Sequence, residues 1–325
     1  MLKSVYALLS PAGVKARLSV FILHRVLPVP DPLFPNEIHA SRFDELCGWI
    51  KGWCNVLPLD HAVASLKAGT LPARAACITF DDGYADNFKV ALPILQRHGL
   101  AATFFIATGF LDGGRMWNDS VIESIRLTQL PILRLDDLFG AGFAGVPVVT
   151  ASEKSAAIGA IIGLVKYRPV SERASIIEQL AERSLARLPV DLMMTSTEVR
   201  AMRQAGMQIG AHTVSHPILA RLDPLVARAE IGESKRVLEK LLDERVGLFA
   251  YPNGKPDADY NVQSASIVRE LGFDAAFSTR WAASRADTDI FQIPRFTPWD
   301  RTRWRFGARM LANLRVGHGP NNLAG

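Results

Sequence analysis

Short runs of apolar and β-branched residues alternate along this chain with longer stretches of helical period. The runs at 19–24 (SVFILH), 75–80 (AACITF), 101–108 (AATFFIAT), 207–212 (MQIGAH), 246–251 (VGLFAY) and 273–278 (FDAAFS) read as strands. Between them, apolar positions recur at helical spacing over 43–53, 60–68, 86–98, 197–205, 223–243 and 261–271. In QRHGLAATFF and RELGFDAAFS a glycine separates helix from strand, where a left-handed residue stops a helix. Thr195 and Glu198 are spaced to cap the helix that follows them. Pro93 kinks the 86–98 pattern or begins a second helix within it. Repeated β-then-α units predict a mostly parallel sheet, open or closed into a barrel. From about 113 to 195 the rhythm breaks. Helical patterns at 118–128, 152–166 and 172–187 surround the loose FGAGFAGVPVV, so 113–195 is expected to be a helical insertion in a single domain spanning 1–325.

Composition narrows the class. With 49% apolar and 21% charged residues, the 325-residue chain has the balance of a globular protein. Its net charge of +5 is spread out except near the C-terminus, without the basic-aromatic pattern of a nucleic-acid module, so no nucleic-acid partner is expected. Cys47, Cys54 and Cys77 form no C-x-x-C pair, which favours a reducing compartment and a cytoplasmic protein. The first residues, MLKSVYALLSPAGVKARLSVFILHRV, read as a lead-in to the first strand rather than a signal peptide. The segment 300–325 combines arginines with Trp304, Phe306, Met310, Leu311 and Leu314. It suits either a helix packed on the domain or a basic amphipathic tail making peripheral contact with anionic membrane. Oligomeric state is not legible.

Polar residues gather just after the strand candidates, where α/β folds place their active sites. FDDGY contains Asp81 and Asp82, GAHTVSHP contains His212 and His216, and His24 ends the first strand. An Asp-Gly pair at a strand end is also a common turn signal. Two imidazoles and a carboxylate with an open position, however, form a catalytic zinc site. A metal there would bind one of two adjacent acids and leave its neighbour ionised, free to accept a proton from water. Cys77 reads as a buried strand residue.

TFDDGY (79–84), HTVSH (212–216) and YPNG (251–254), in this order on an alternating β/α chain, resemble the polysaccharide deacetylases, the NodB-homology domain of carbohydrate esterase family four. The likeness covers about 19–300 and implies a distorted (β/α) barrel that removes acyl groups, chiefly N-acetyl, with a divalent metal. By that resemblance Asp82, His212 and His216 would bind the metal, Zn²⁺ by default, with Co²⁺, Ni²⁺ or Fe²⁺ as alternatives. Asp81 would be the general base, and the backbone N–H at Asn253 would assist at the oxyanion. The family's third-motif arginine is absent, since Ala250 stands in its place, and Arg295 of QIPRFTP is the expected substitute for holding Asp81. The late histidine that protonates the leaving amine is also absent. The LHRV string resembles the YHRV-like start of the poly-N-acetylglucosamine deacetylases, which assigns that role to His24. Tyr84, Tyr251, Pro252, Asn253 and Trp299 are the expected substrate-binding residues, and Trp117 and Trp281 are further aromatic candidates. The implied substrate is an N-acetylated amino sugar in an exopolysaccharide, lipopolysaccharide or lipid-linked glycan. A non-sugar amide hydrolase of allantoinase type and an inactive glycan-binding relative are the alternatives.

Overall fold

A computed structural model of the chain describes residues 2–316. The described residues of Met1–Val29, Ile38–Asp112 and Met194–Gly325 form one compact unit, and Pro30–Glu37 with Gly113–Met193 form another. The strands are β1 (Ser19–Leu23), β2 (Asn55–Val56), β3 (Ala75–Phe80), β4 (Thr103–Ile106), β5 (Ile132–Leu133), β6 (Val146–Pro147), β7 (Gln208–Ala211), β8 (Leu248–Ala250) and β9 (Ala275–Phe277). In the first unit they make one parallel sheet in the order β1-β3-β4-β7-β8-β9, with β2 paired to the start of β3. All six strand candidates are present. The two-residue β2 is an addition, too short to show a period.

The sheet curls, and a segment outside the regular strands bridges its two edges. Ile293 accepts from Ser278 N (2.8 Å) and donates to Ala276 O (2.9 Å), on the β9 side. Phe296 donates to Val20 O (2.7 Å) and accepts from Ile22 N (3.0 Å), on the β1 side. Both bridges are parallel. Together with the surrounding helices this makes a distorted (β/α) barrel. Strand residues are buried on both faces, which is why they read as continuous apolar runs. Alternate residues separate two cores. Phe21, Ile78, Phe104 and Phe249 pack against the helices, whereas Val20, Cys77, Phe105, Ala250, Phe277 and Ile293 gather on the inner face.

Helices α1 (Leu2–Leu9), α2 (Ala40–Trp53), α3 (Leu59–Ala68) and α4 (Leu92–His98) belong to this unit. Leu59, Ala62, Val63 and Leu66 of α3 close the inner core. Pro93 sits in the first turn of α4, behind a π-helical turn at Asn87–Ala91, so it begins a helix. The expected lead-in to β1 is instead helix α1, whose Tyr6 is buried and hydrogen-bonds Ser19. No described helix is long and apolar enough to cross a membrane. The three cysteines are buried, and burial pushes the Cys47 and Cys54 thiols up to about 12.

In the second unit, α5 (Trp117–Leu127), the single turn α6 (Asp136–Phe139), α7 (Ala151–Val165) and α8 (Val170–Ser184) surround a core of Val121, Ile125, Ile158, Ile161, Ile177 and Leu180. The antiparallel pair β5-β6 completes it. Arg126 joins Asp31 (2.7 Å) and Glu123 (3.0 Å), and Arg173 lies over the Trp117 ring.

The first unit continues with α9 (Ser196–Gln204), α10 (Pro224–Leu242), α11 (Val262–Glu270) and α12 (Arg303–Arg315). Thr195 and Glu198 form the capping box of α9. Of the expected 300–325 tail, residues 317–325 lie outside the described residues. On α12, Phe306, Met310 and Leu314 are buried, with Phe306 stacked on Trp53 (centroids 5.8 Å apart) and against Phe21, whereas Trp304 is exposed. Three of the helix's apolar side chains are thus used by the core. Phe306→Ala should therefore lower unfolding free energy by about 3–5 kcal/mol in urea titrations. A loss below about 1 kcal/mol would mean that α12 is not a core element.

Candidate active site

The inner-face parity that places Val20, Cys77 and Ile293 inside the barrel continues past the strand ends. Counting in twos leads from Val20 to His24, from Cys77 through Thr79 to Asp81, and from Ile293 to Arg295. Gly210 and His212 alternate in the same way with Ile209 and Ala211 of the outer core. Four functional candidates thus reach one rim of the barrel, the C-terminal ends of parallel strands.

Arg295 is fully buried and grips Asp81 with both terminal nitrogens, each N···O distance being 2.7 Å. Its Nε–H donates to Ser278 O (2.9 Å) and its Nη1 to Thr79 Oγ1 (3.3 Å), so the guanidinium is oriented from three directions. Burial by itself would raise the Asp81 carboxyl. The facing Arg295 charge, with His212, outweighs it and holds Asp81 below the usual carboxylate range.

At Asp82 the backbone turns to φ 77°, out of the strand and out of the inner-face parity. Its Oδ1 lies 3.4 Å from both His212 Nε2 and His216 Nε2. This buried oxygen has no hydrogen-bond donor among the described residues. His212 Nδ1–H donates to Ala250 O at 2.7 Å, which fixes the tautomer and turns the Nε2 lone pair toward Asp82. The three ligand atoms of Asp82, His212 and His216 lie within 4.8 Å of one another. An orphaned carboxylate oxygen facing two imidazole nitrogens is a donor set that fits a divalent cation. Burial lowers His216 to about 4, which keeps that imidazole neutral at pH 7. Burial also opposes the charged form of His212, but the Asp81 charge and the Asp82 contact raise it overall.

The histidine loop is held in a conformation unfavourable to ordinary residues. Thr213 and His216 have φ values of 64° and 54°, and a β-branched residue there is strained. Glu230 of α10 offsets this by accepting from Val214 N and Ser215 N (2.9 Å each) and from Ser215 Oγ (2.7 Å). Thr213 Oγ1 accepts from His216 N (3.1 Å). From the other side, Thr108 N and Gly109 N donate to Thr213 O and Val214 O. A Cβ at Gly109 would meet Val214 O at 2.8 Å, so this approach requires glycine.

His24 is exposed and within electrostatic reach of Asp81, Asp82 and His216. Its strand end is pinned: Asn87 Nδ2 donates to His24 O (2.9 Å), and Asp86 accepts from Val26 N (3.0 Å) and Arg25 Nε (2.8 Å). Tyr84 is buried beneath the Arg25 guanidinium, 4.5 Å from ring centre to cation. Asn253 has φ 58°, and Thr279 Oγ1 donates to its carbonyl (2.9 Å). Pro252 beside it is buried.

One expected substrate-binding side chain is taken up by the core. The Tyr251 ring is fully buried, stacks on Tyr260 with centroids 3.8 Å apart, and donates its hydroxyl to Phe291 O (2.9 Å). Core packing claims it, and it is not a substrate-contacting side chain. Trp299 stands exposed beside Arg309, and Trp281 packs against Phe296. Glu230, Asp86 and Asn87 were not read from sequence. Asp86 and Asn87 closely follow the FDDGY string, which is the one signal that pointed toward them.

The family model described as polysaccharide deacetylase matches residues 68–126 and 169–276, just over half of the chain. The chain belongs to the polysaccharide deacetylase family. It is 18% identical to YxkH, a Bacillus subtilis (strain 168) protein named for the same family, over 80% of this chain and 64% of YxkH. A 95-residue stretch, 29% of this chain and 33% of its relative, is 28% identical to the poly-beta-1,6-N-acetyl-D-glucosamine N-deacetylase of Staphylococcus aureus (strain MSSA476). The chain thus spans less than two thirds of the length of these curated relatives. Among solved structures, its fold is similar to the Streptococcus pyogenes deacetylase PplD in complex with acetate (TM-score 0.60, 19% identity, 93% of this chain and 99% of that one). It is also similar to IcaB from Ammonifex degensii (TM-score 0.57, 18% identity, 94% and 99%).

Two outcomes follow from the geometry. Arg295→Met should cost about 3–5 kcal/mol at pH 7 by leaving Asp81 buried and unpaired. Because its folded pKa is depressed, the stability that ionised Asp81 contributes is fully present above the ordinary carboxylate range and is lost progressively as pH falls below it. The gap between variant and wild type in urea titrations should therefore narrow as pH falls below about 4, and a pH-independent gap would contradict the pairing. Glu230→Gln should weaken divalent-metal affinity about 10- to 100-fold in equilibrium dialysis; unchanged affinity would remove Glu230 from the support of His216.

Proposed function

We propose that this chain is a divalent-metal-dependent deacetylase that hydrolyses the N-acetyl group of an amino sugar in a polysaccharide, lipopolysaccharide or lipid-linked glycan. The observation that carries the reading is the division of labour between adjacent carboxylates: Asp81 is locked to Arg295, and Asp82 faces two imidazoles. A cation held by Asp82, His212 and His216 would polarise the amide carbonyl and acidify water, with Zn²⁺ the natural occupant of this N/O set and Co²⁺, Ni²⁺ or Fe²⁺ alternatives.

Asp81 then acts as general base. Each of its oxygens accepts one bond from Arg295 and keeps a second lone pair for the proton of the attacking water. Water oxygen bonds to the acetyl carbon, the C–N bond breaks, and the nitrogen leaves with a proton as the free amine while acetate is released. His24, at the rim and within electrostatic reach of both aspartates, is the group assigned to deliver that proton. The backbone N–H at Asn253 is assigned to the developing oxyanion. The name of the Staphylococcus aureus relative, a poly-beta-1,6-N-acetyl-D-glucosamine N-deacetylase, supports an N-acetylated glucosamine polymer as the substrate class.

Acetate release from N-acetylglucosamine oligomers, with metal-loaded protein, tests this. Asp81→Asn and His24→Ala should each lower the rate about 10²- to 10⁴-fold. Wild-type rates in His24→Ala would remove it as the acid, and no release by wild type with any of the four metals would sink the deacetylase reading.

A further inference from the structure

The end of the barrel opposite the catalytic rim holds two arginines that face each other without a counter-ion. Leu18, just before β1, and Ser284 form an antiparallel bridge, exchanging N–H···O bonds of 3.0 and 2.9 Å. That register sets Arg17 across from Arg285, in the non-hydrogen-bonded position where facing side chains stand closest. Like charges in such a pair repel. Both backbones are pinned: Ser10 Oγ accepts from Arg17 N (3.0 Å), and Thr288 Oγ1 accepts from Arg285 N (2.8 Å). The guanidinium groups, by contrast, are unsatisfied. Arg17 Nη1 and Arg285 Nε are buried with no hydrogen-bond acceptor among the described residues, and no described carboxylate pairs with either group. Asp289, the nearby acid, is turned to Gln292 (3.0 Å) and Arg269 (3.9 Å). Burial, and the Arg285 charge, lower Arg17 from its usual range. Both side chains are half-buried, so an anion from solution can reach them. His24 lies seven residues beyond Arg17, about 23 Å along an extended chain, which places the pair far from the proposed metal.

We propose that Arg17 and Arg285 form a binding site for a small tetrahedral oxyanion, phosphate in kind and free in solution, which clamps the closing segment of the barrel to the start of β1. Oxygens of one anion accept from both guanidinium forks, so a repulsion across the seam becomes a pair of charge-assisted contacts. Two of the unsatisfied donors lie beneath the surface, which favours a small anion over a lipid headgroup. The segment 284–296 carries Arg285 near its start and Arg295 near its end. The anion thus secures at the far end the same segment that Asp81 secures at the catalytic rim. The proposal goes beyond the deacetylase reading and does not depend on it.

Calorimetric titration of the full chain with sodium phosphate, at an ionic strength held constant with chloride, tests the site. Arg17→Gln and Arg285→Gln should each weaken phosphate binding about 10- to 100-fold, the loss expected for a hydrogen bond to a charged group. Asp82→Ala should bind phosphate as the wild type does, which separates this site from an anion on the proposed metal. Arg285→Glu supplies the missing carboxylate. It should lose phosphate binding and, in phosphate-free buffer, unfold at a higher temperature than the wild type. Wild-type protein that does not bind phosphate, or arginine variants that bind it equally well, would overturn the proposal. So would binding that disappears in Asp82→Ala, or an Arg285→Glu variant that melts below the wild type without phosphate. Vesicles of phosphatidylglycerol, but not phosphatidylcholine, held through these arginines while free phosphate is not bound would also overturn it, by assigning the pair to a lipid headgroup.

Discussion

A buried, two-pronged ion pair between Arg295 and Asp81 ties the closing segment of the barrel to the end of strand β3. Two adjacent carboxylates at a strand end, both buried, repel each other and lose hydration. Each therefore needs its own positive partner or must give up its charge. Arg295 supplies one partner. It reaches Asp81 only because residues 293–296 bridge β9 and β1, which carries the guanidinium to the barrel's inner face. The fold's closure and the ionisation of the proposed base are thus one structural fact. Removing the arginine would leave a bare charge inside.

The second carboxylate is served differently. Asp82 leaves the strand through a left-handed residue, and its orphaned oxygen meets His212 and His216. The loop that brings His216 there contains two further left-handed non-glycine residues. It is held by Glu230, Thr213 and the backbone around Gly109. Strain at this rim is offset by hydrogen bonds drawn from α10 and from the turn after β4, so the ligand set is shaped before any ion arrives.

The strands and most helices were legible because their apolar periods are strong and their ends carry glycine or capping pairs. Counting in twos from Val20, Cys77 and Ile293 reaches His24, Asp81 and Arg295, but which face those residues share is set by the structure and not by the sequence. Long-range partners left no local trace. Glu230 supports a loop about fifteen residues away in sequence, and residues 293–296 pair with strands at opposite ends of the chain without an apolar run of their own. Helix α12 read as a tail because its arginines stand out in sequence, whereas the cover for Phe306 comes from Trp53 and Phe21. Tyr251 read as a substrate contact because it begins the YPNG string; in space its ring stacks on Tyr260.

The central claim is that Asp82 binds a metal and Asp81 does not. Metal stoichiometry by mass spectrometry, on protein dialysed against zinc and then against metal-free buffer, tests it most directly. The account predicts one ion per chain in wild type and in Asp81→Asn, and essentially none in Asp82→Ala. Retention of the ion in Asp82→Ala, or its loss in a folded Asp81→Asn, would contradict the assignment of separate roles to the two acids.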